Sequence, residues 1–175
     1  MQFNVERSAM TPSYDLVVLG SGPAGESAAE LAAFLGHSVV IVEKNKPGGV
    51  VTTTGGAPTK TLRESMLALT GFYNREVYGI TVSAPPQLMV EKITERTIRV
   101  SELLQDVTAQ NIARNGVEYM HGTAKVGSDR KVLVTSPGGE HHELLAKNIL
   151  DNPDNIPFED PDVWDSDGSC LRAFS

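Results

Sequence analysis

Apolar positions near the start of the chain fall into two short continuous runs with a helical pattern between them. Leu16–Leu19 is an unbroken apolar run, and the second run lies within residues 38–43. Such runs are typical of strands that are buried on both faces of a parallel sheet. From about Ala24 to Leu35 the apolar residues recur at helical spacing, and Gly36 follows as a helix stop. The pattern predicts a β-α-β unit.

The remaining pattern predicts two helices and then three strands. A glycine- and threonine-rich loop over 46–57 shows no periodicity, and Pro58 is suited to open the second predicted helix, which continues through Leu69 to about Tyr73. A long helix is predicted from about Gln87 to Asn115, ended by Gly116. Strands are then predicted over 117–126, 131–135 and 143–150, because glycine-containing turns separate these runs.

The turn between the first strand and the first helix has the sequence of a dinucleotide site. Its glycines allow a tight turn and a close approach of the backbone to a pyrophosphate, and the helix N-terminus provides free N–H groups for that anion. Glu43 lies 18 residues after Gly25, at the end of the next predicted strand, where a carboxylate can bind a ribose hydroxyl. The alternative is a purely structural turn. The candidate binding residues here are Gly20, Ser21, Gly22, Pro23, Ala24, Gly25 and Glu43.

Composition narrows the functional classes. The 175 residues are enough for about one domain, and the net charge of −7 disfavours nucleic acid and anionic membranes as partners. No apolar run approaches the ~20 residues of a membrane span, and the N-terminus lacks the pattern of a signal peptide.

Cys170 is the single cysteine, which excludes an intramolecular disulfide and favours a cytoplasmic location. No metal site is predicted, since His141 and His142 lack further ligands at useful spacing.

Further motifs carry a resemblance to a known family. A second glycine pair, Gly48-Gly49, precedes Pro58-Thr59-Lys60, and both follow the β-α-β unit. This arrangement resembles the FAD-binding half of the flavoprotein disulfide reductases. The resemblance implies an α/β, Rossmann-like fold with an inserted helix pair and a three-stranded β-meander. It also implies FAD as cofactor, Lys60 beside the flavin, and a backbone contact from Gly122 to the adenosine.

The redox cysteines of that family are absent here. Val51 and Gly56 stand at their positions, and neither residue can supply a thiolate. The stretches 52–55, 60–64 and 69–72 resemble a branch that needs no thiol, the soluble pyridine nucleotide transhydrogenases. This resemblance implies hydride transfer between NADPH and NAD through FAD, with Val51 near the cofactor. No residue of the chain is assigned as catalytic.

The expected organisation is a polar arm over 1–13, a partial FAD-binding domain over 14–150 and an irregular acidic tail over 151–175. Full members of the family are homo-oligomers and carry nicotinamide-binding and dimerisation domains that these residues do not contain. The chain is therefore expected to be an N-terminal part that is inactive alone. Alternatives are a non-catalytic remnant that binds FAD or ADP, another cysteine-less flavoprotein of the family, and a free-standing NAD-binding domain.

Overall fold

The computed structural model describes residues 11–69, 78–79 and 85–151. Most of the arm, most of the tail and the predicted continuation of the second helix beyond Leu69 lie outside these residues. The described helices are α1 (Pro23–Phe34), α2 (Gly49–Thr53), α3 (Ala57–Leu69) and α4 (Pro86–Arg114). The strands are β1 (Ser13–Leu19), β2 (Val39–Glu43), β3 (Glu118–His121), β4 (Thr123–Val126), β5 (Lys131–Thr135) and β6 (His141–Asp151).

The strands form one sheet in the order β3-β2-β1-β6-β5-β4. Strands β3, β2, β1 and β6 are parallel neighbours, whereas β5 is antiparallel to both β6 and β4. Strand β6 belongs to both parts, since Leu145 is paired with Ser13 of β1 on one side and with Lys131 of β5 on the other. The β-meander is therefore an extension of the parallel sheet.

Two hydrophobic clusters lie on opposite faces of the parallel strands. Val17, Val40 and Val42 pack with β5 and β6 residues such as Val134 and Leu144. On the other face, β1 and β2 side chains pack against Ala29 of α1 and Ile112 of α4; this cluster comprises Val18, Ala29, Val39, Ile41, Ile112 and Val117. Burial on both faces explains the continuous apolar runs. The Rossmann-like fold class is confirmed, and none of the described helices is long and apolar enough to cross a bilayer.

The structure corrects the prediction of a single strand over 117–126. That stretch forms β3 and β4, which lie at opposite edges of the sheet with only Gly122 between them. A Cβ atom at Gly122 would lie 2.6 Å from the Thr135 carbonyl oxygen. The chain therefore passes from one edge strand of the sheet to the other at a residue without a side chain, which periodicity alone does not reveal.

Two smaller predictions are also wrong. The loop over 46–57 contains the short helix α2, whose Thr53 hydroxyl donates to the Gly49 carbonyl at 2.8 Å. A helix of this length is too short to establish a periodic pattern. The last strand, predicted to begin at residue 143, begins at His141, so both His141 and His142 lie in β6 and are exposed there.

Candidate dinucleotide site

The turn after β1 depends on two glycines. Gly20 has φ +100°, a conformation that side chains disfavour, and its N–H donates to the Val42 carbonyl at 2.8 Å. A Cβ atom at Gly25 would lie 2.2 Å from the Gly20 carbonyl oxygen and 3.1 Å from Val18 Cγ1. Helix α1 therefore packs directly on the turn because Gly25 has no side chain.

The N-terminus of α1 has no internal cap. Gly22 is the N-cap residue, and as a glycine it has no side chain that could bond to the first turn. Pro23 and Ala24 are exposed there, and the first N–H groups of a helix have no partner within it. These N–H groups and the positive end of the helix dipole form an anion-binding position.

Glu43 ends β2 and holds the neighbouring loops through its carboxylate. Its Oε2 accepts hydrogen bonds from the Ser21 N–H at 2.7 Å and the Ser21 hydroxyl at 2.8 Å, and its Oε1 accepts from the Asn45 N–H at 2.7 Å. The residue is only 1% exposed. The sequence predicted a ribose ligand at this position, and the structure adds a structural role, since the carboxylate already fixes the glycine turn.

The second glycine pair joins the same network. Gly48 has φ +92° and Gly49 has φ +57°, and the Gly48 N–H donates to the Ser21 carbonyl at 3.1 Å. The Gly122 N–H donates to the Glu43 carbonyl at 2.9 Å. The structure thus brings the glycine turn, Glu43, Gly48 and Gly122 together at the carboxyl ends of β1 and β2, where open α/β sheets bind ligands.

Two residues of this region have contacts that the sequence did not indicate, since it placed Thr52 only within the stretch that resembles the transhydrogenases and gave Tyr119 no role. Burial and the nearby Glu43 carboxylate raise the pKa of Tyr119 from its ordinary value near 10 to about 12, because both disfavour the phenolate. The Thr52 hydroxyl donates to the Pro47 carbonyl at 2.7 Å, and Thr52 lies where a side chain at Gly48 would project. Their positions depend on pairing between distant segments and on the loop conformation.

The positions of the missing cysteines are adjacent. A Cβ atom at Gly56 would lie 2.6 Å from the Val51 carbonyl oxygen and 2.8 Å from Val51 Cα. Val51 is 45% exposed. Lys60 is exposed in the first turn of α3, and among the described residues none pairs with its ammonium group. The described part of the chain contains no cluster of side chains that could hold a metal ion.

Residues 15–151 match the sequence model of the FAD dependent oxidoreductase family. The chain belongs to this family. FAD is the cofactor of the family, which confirms the cofactor predicted from the sequence. The glycine turn, the uncapped helix N-terminus and the strand-end carboxylate fit the adenosine diphosphate part of FAD.

Named relatives refine the resemblance. The soluble pyridine nucleotide transhydrogenase of Mycobacterium tuberculosis (strain ATCC 25177 / H37Ra) is 35% identical over 164 residues, which cover 89% of this chain and 35% of the relative. The Pseudomonas putida (strain GB-1) transhydrogenase is 32% identical, with the same coverages of 89% and 35%. Dihydrolipoyl dehydrogenase of Zymomonas mobilis is 35% identical over 81% of this chain and 30% of the relative. The chain therefore spans about a third of the length of these relatives.

A solved structure shares the fold. The Cu(II) complex of the HOCl-induced flavoprotein disulfide reductase RclA from Escherichia coli superimposes with a TM-score of 0.63 at 21% identity. The match covers 81% of this chain and 29% of the RclA chain. The predicted arrangement of a Rossmann-like unit, an inserted helix pair and a β-meander is thereby confirmed.

The Glu43 network gives a stability prediction. Changing Glu43 to Gln places an amide group opposite the Ser21 donors and is expected to lower the free energy of unfolding by about 1–3 kcal/mol. Urea unfolding followed by circular dichroism measures the change. Glu143→Gln is the matched control, since the Glu143 carboxylate forms an exposed pair with Lys131 and its change is expected to stay within about 0.5 kcal/mol. Equal effects of the two changes would contradict the structural role of Glu43.

Proposed function

We propose that this chain is the FAD-binding part of an NAD(P)+ transhydrogenase, which transfers a hydride between NADPH and NAD through FAD. The observation that carries the proposal is the contact between Val51 and Gly56, two residues without a thiol at the positions of the family's redox pair. The similarity to soluble pyridine nucleotide transhydrogenases supports the same activity. The proposal includes a location in the reducing cytoplasm, consistent with the single cysteine.

Each end of FAD has its own set of residues in this proposal. The first-turn N–H groups of α1, within residues 22–25, bind the pyrophosphate. Glu43 accepts a hydrogen bond from a ribose hydroxyl at Oε1, because a carboxylate oxygen can accept a second bond beside the one from the Asn45 N–H. Gly122 contacts the adenosine through its backbone, and Val51 and Lys60 lie at the isoalloxazine. When bound, FAD supplies the hydride chemistry, while the chain binds and orients it.

The local geometry argues against thiol–disulfide chemistry at this site. Such exchange needs an attacking thiolate and a leaving thiolate. The Cβ position at Gly56 lies only 2.8 Å from Val51 Cα, so a side chain there requires the backbone to move. The similarity to dihydrolipoyl dehydrogenase is therefore assigned to FAD binding and not to a dithiol substrate.

A second candidate is a protein that binds FAD or ADP without catalysis. It is favoured by the single strand–glycine turn–helix unit of the part that the structure describes, since transhydrogenation also needs a site for the nicotinamide. Both candidates require FAD binding, and they differ in whether hydride transfer occurs once such a site is supplied. The nicotinamide domain of a transhydrogenase relative, added as a separate polypeptide, would restore transfer only under the first candidate.

Ligand preference tests the site that both candidates share. Calorimetric titration is expected to show tighter binding of FAD or ADP than of NADPH, because the Glu43 carboxylate repels a 2′-phosphate. NADH is the matched ligand, as it lacks only that phosphate, and it is expected to bind more tightly than NADPH. Tighter binding of NADPH than of FAD would refute the assignment of the turn to the adenosine diphosphate of FAD.

A further inference from the structure

A groove between α3 and α4 has a mixed apolar and cationic lining. Its volume is about 460 Å³. Ala68 and Leu69 of α3 and Ile93 of α4 provide the apolar surface, and Lys92 and Arg96 of α4 provide the cations. None of these residues is assigned to FAD in the proposal above.

Ser65 contributes a buried hydroxyl to the groove wall. The residue is 8% exposed, and its Oγ has no hydrogen-bond partner among the residues that the structure describes. Other hydroxyls on the same helices bond to the preceding turn: Thr61 donates to the Ala57 carbonyl at 2.8 Å, and Thr97 donates to the Ile93 carbonyl at 2.8 Å. A buried donor without an acceptor is costly, so an acceptor placed in the groove would stabilise this arrangement.

The charges around the groove leave one cation without a counter-charge among the described residues. The Lys92 ammonium lies 2.7 Å from the Glu95 carboxylate, and the Glu64 carboxylate, which also lines the groove, lies 2.6 Å from Arg63. The Arg96 guanidinium has no such partner in the described part of the chain. The groove therefore favours an anion close to Arg96.

We propose that this groove binds a small organic carboxylate with a hydrocarbon body. The carboxylate accepts two hydrogen bonds from the Arg96 guanidinium, a geometry that suits this pair of groups, and a third from the Ser65 hydroxyl. The hydrocarbon body covers Ala68, Leu69 and Ile93. An inorganic anion would leave that apolar surface exposed to water, so the lining favours an amphipathic ligand.

Octanoate and 1-octanol test the proposal as probes with a similar tail and different heads. Titration calorimetry on the complete 175-residue chain is expected to show tighter binding of octanoate. Arg96→Gln is expected to weaken octanoate binding roughly tenfold, because a charge-assisted pair is lost. Ser65→Ala is expected to weaken it about threefold, since one hydrogen bond is lost. Both changes are expected to weaken the binding of 1-octanol less than the binding of octanoate.

Arg99→Gln is the matched control, since it removes the same charge from an exposed position of α4 outside the groove. It is expected to change octanoate affinity less than about twofold, because Arg99 does not line the groove and a charge at a distance interacts weakly through water. Equal effects of the Arg96 and Arg99 changes, or equal binding of octanoate and 1-octanol, would overturn the proposal. Ala68→Trp fills the groove and should abolish binding; retained affinity in that variant would place the ligand elsewhere. Tighter binding of inorganic phosphate than of octanoate would refute the ligand class.

Discussion

Replacing Gly25 with alanine is expected to abolish measurable FAD binding. The added Cβ would lie 2.2 Å from the Gly20 carbonyl oxygen, and a backbone atom of a tight turn cannot move aside as a flexible side chain can. Helix α1 must then shift away from β1 and carry its first N–H groups off the pyrophosphate. Loss of two hydrogen bonds to a charged group corresponds to about 3–6 kcal/mol, or at least a hundredfold in affinity.

Gly138→Ala is the matched control for this prediction. It makes the same chemical change in a turn where the new Cβ would meet no atom closer than Ser136 Oγ at 3.8 Å. Flavin fluorescence titration compares the two variants, and circular dichroism checks that both retain secondary structure. If the Gly25 variant binds FAD as tightly as the Gly138 variant, the turn after β1 is not the position that holds the cofactor.

The β-α-β unit could be predicted because its signals are local. A strand that is buried on both faces needs a continuous apolar run, and Gly20 and Gly25 are required by backbone geometry within one short turn. The end of the long helix was predictable for the same reason, since Gly116 follows the C-cap residue Asn115 and has φ +72°. Each of these features is determined by neighbours in sequence.

The features that were missed depend on contacts between distant segments. The split at Gly122 follows from the approach of β4 to β5, where Thr135 occupies the space of a side chain. The position of Tyr119 beside Glu43 follows from the pairing of β3 with β2. Nothing in the local sequence of either residue specifies its partner, so periodicity could not reveal these contacts.

The sequence predicted which residues form the candidate site better than it predicted the hydrogen bonds between them. The spacing marked Glu43 as a ribose ligand, yet its described bonds are to Ser21 and Asn45, within the chain itself. Ser21 was named only as part of the glycine turn, whereas its backbone and hydroxyl link that turn to Glu43 and Gly48. A motif specifies which residue types surround a ligand, but their mutual bonding follows from the folded loops.

The chain alone, mixed with FAD, NADPH and thio-NAD, is expected to reduce thio-NAD no faster than free FAD does. Efficient hydride transfer requires a nicotinamide held against the flavin, and such positioning corresponds to an effective molarity on the order of 10⁵ M or more. The described residues contain one strand–glycine turn–helix unit, and the proposal assigns that unit to FAD. Absorbance of reduced thio-NAD measures the rate, and the Gly25→Ala variant serves as the control without bound FAD.

A rate near ~1 s⁻¹ or higher, ordinary for an enzyme, would contradict this expectation. Such a rate would require these 175 residues to orient a nicotinamide themselves, and the groove between α3 and α4 would then be tested for that role with the Arg96→Gln and Arg99→Gln pair. Hydride transfer that appears only after the nicotinamide domain of a relative is added would instead support the proposed function. In that case the chain binds and orients FAD, and the second nucleotide is positioned by residues outside it.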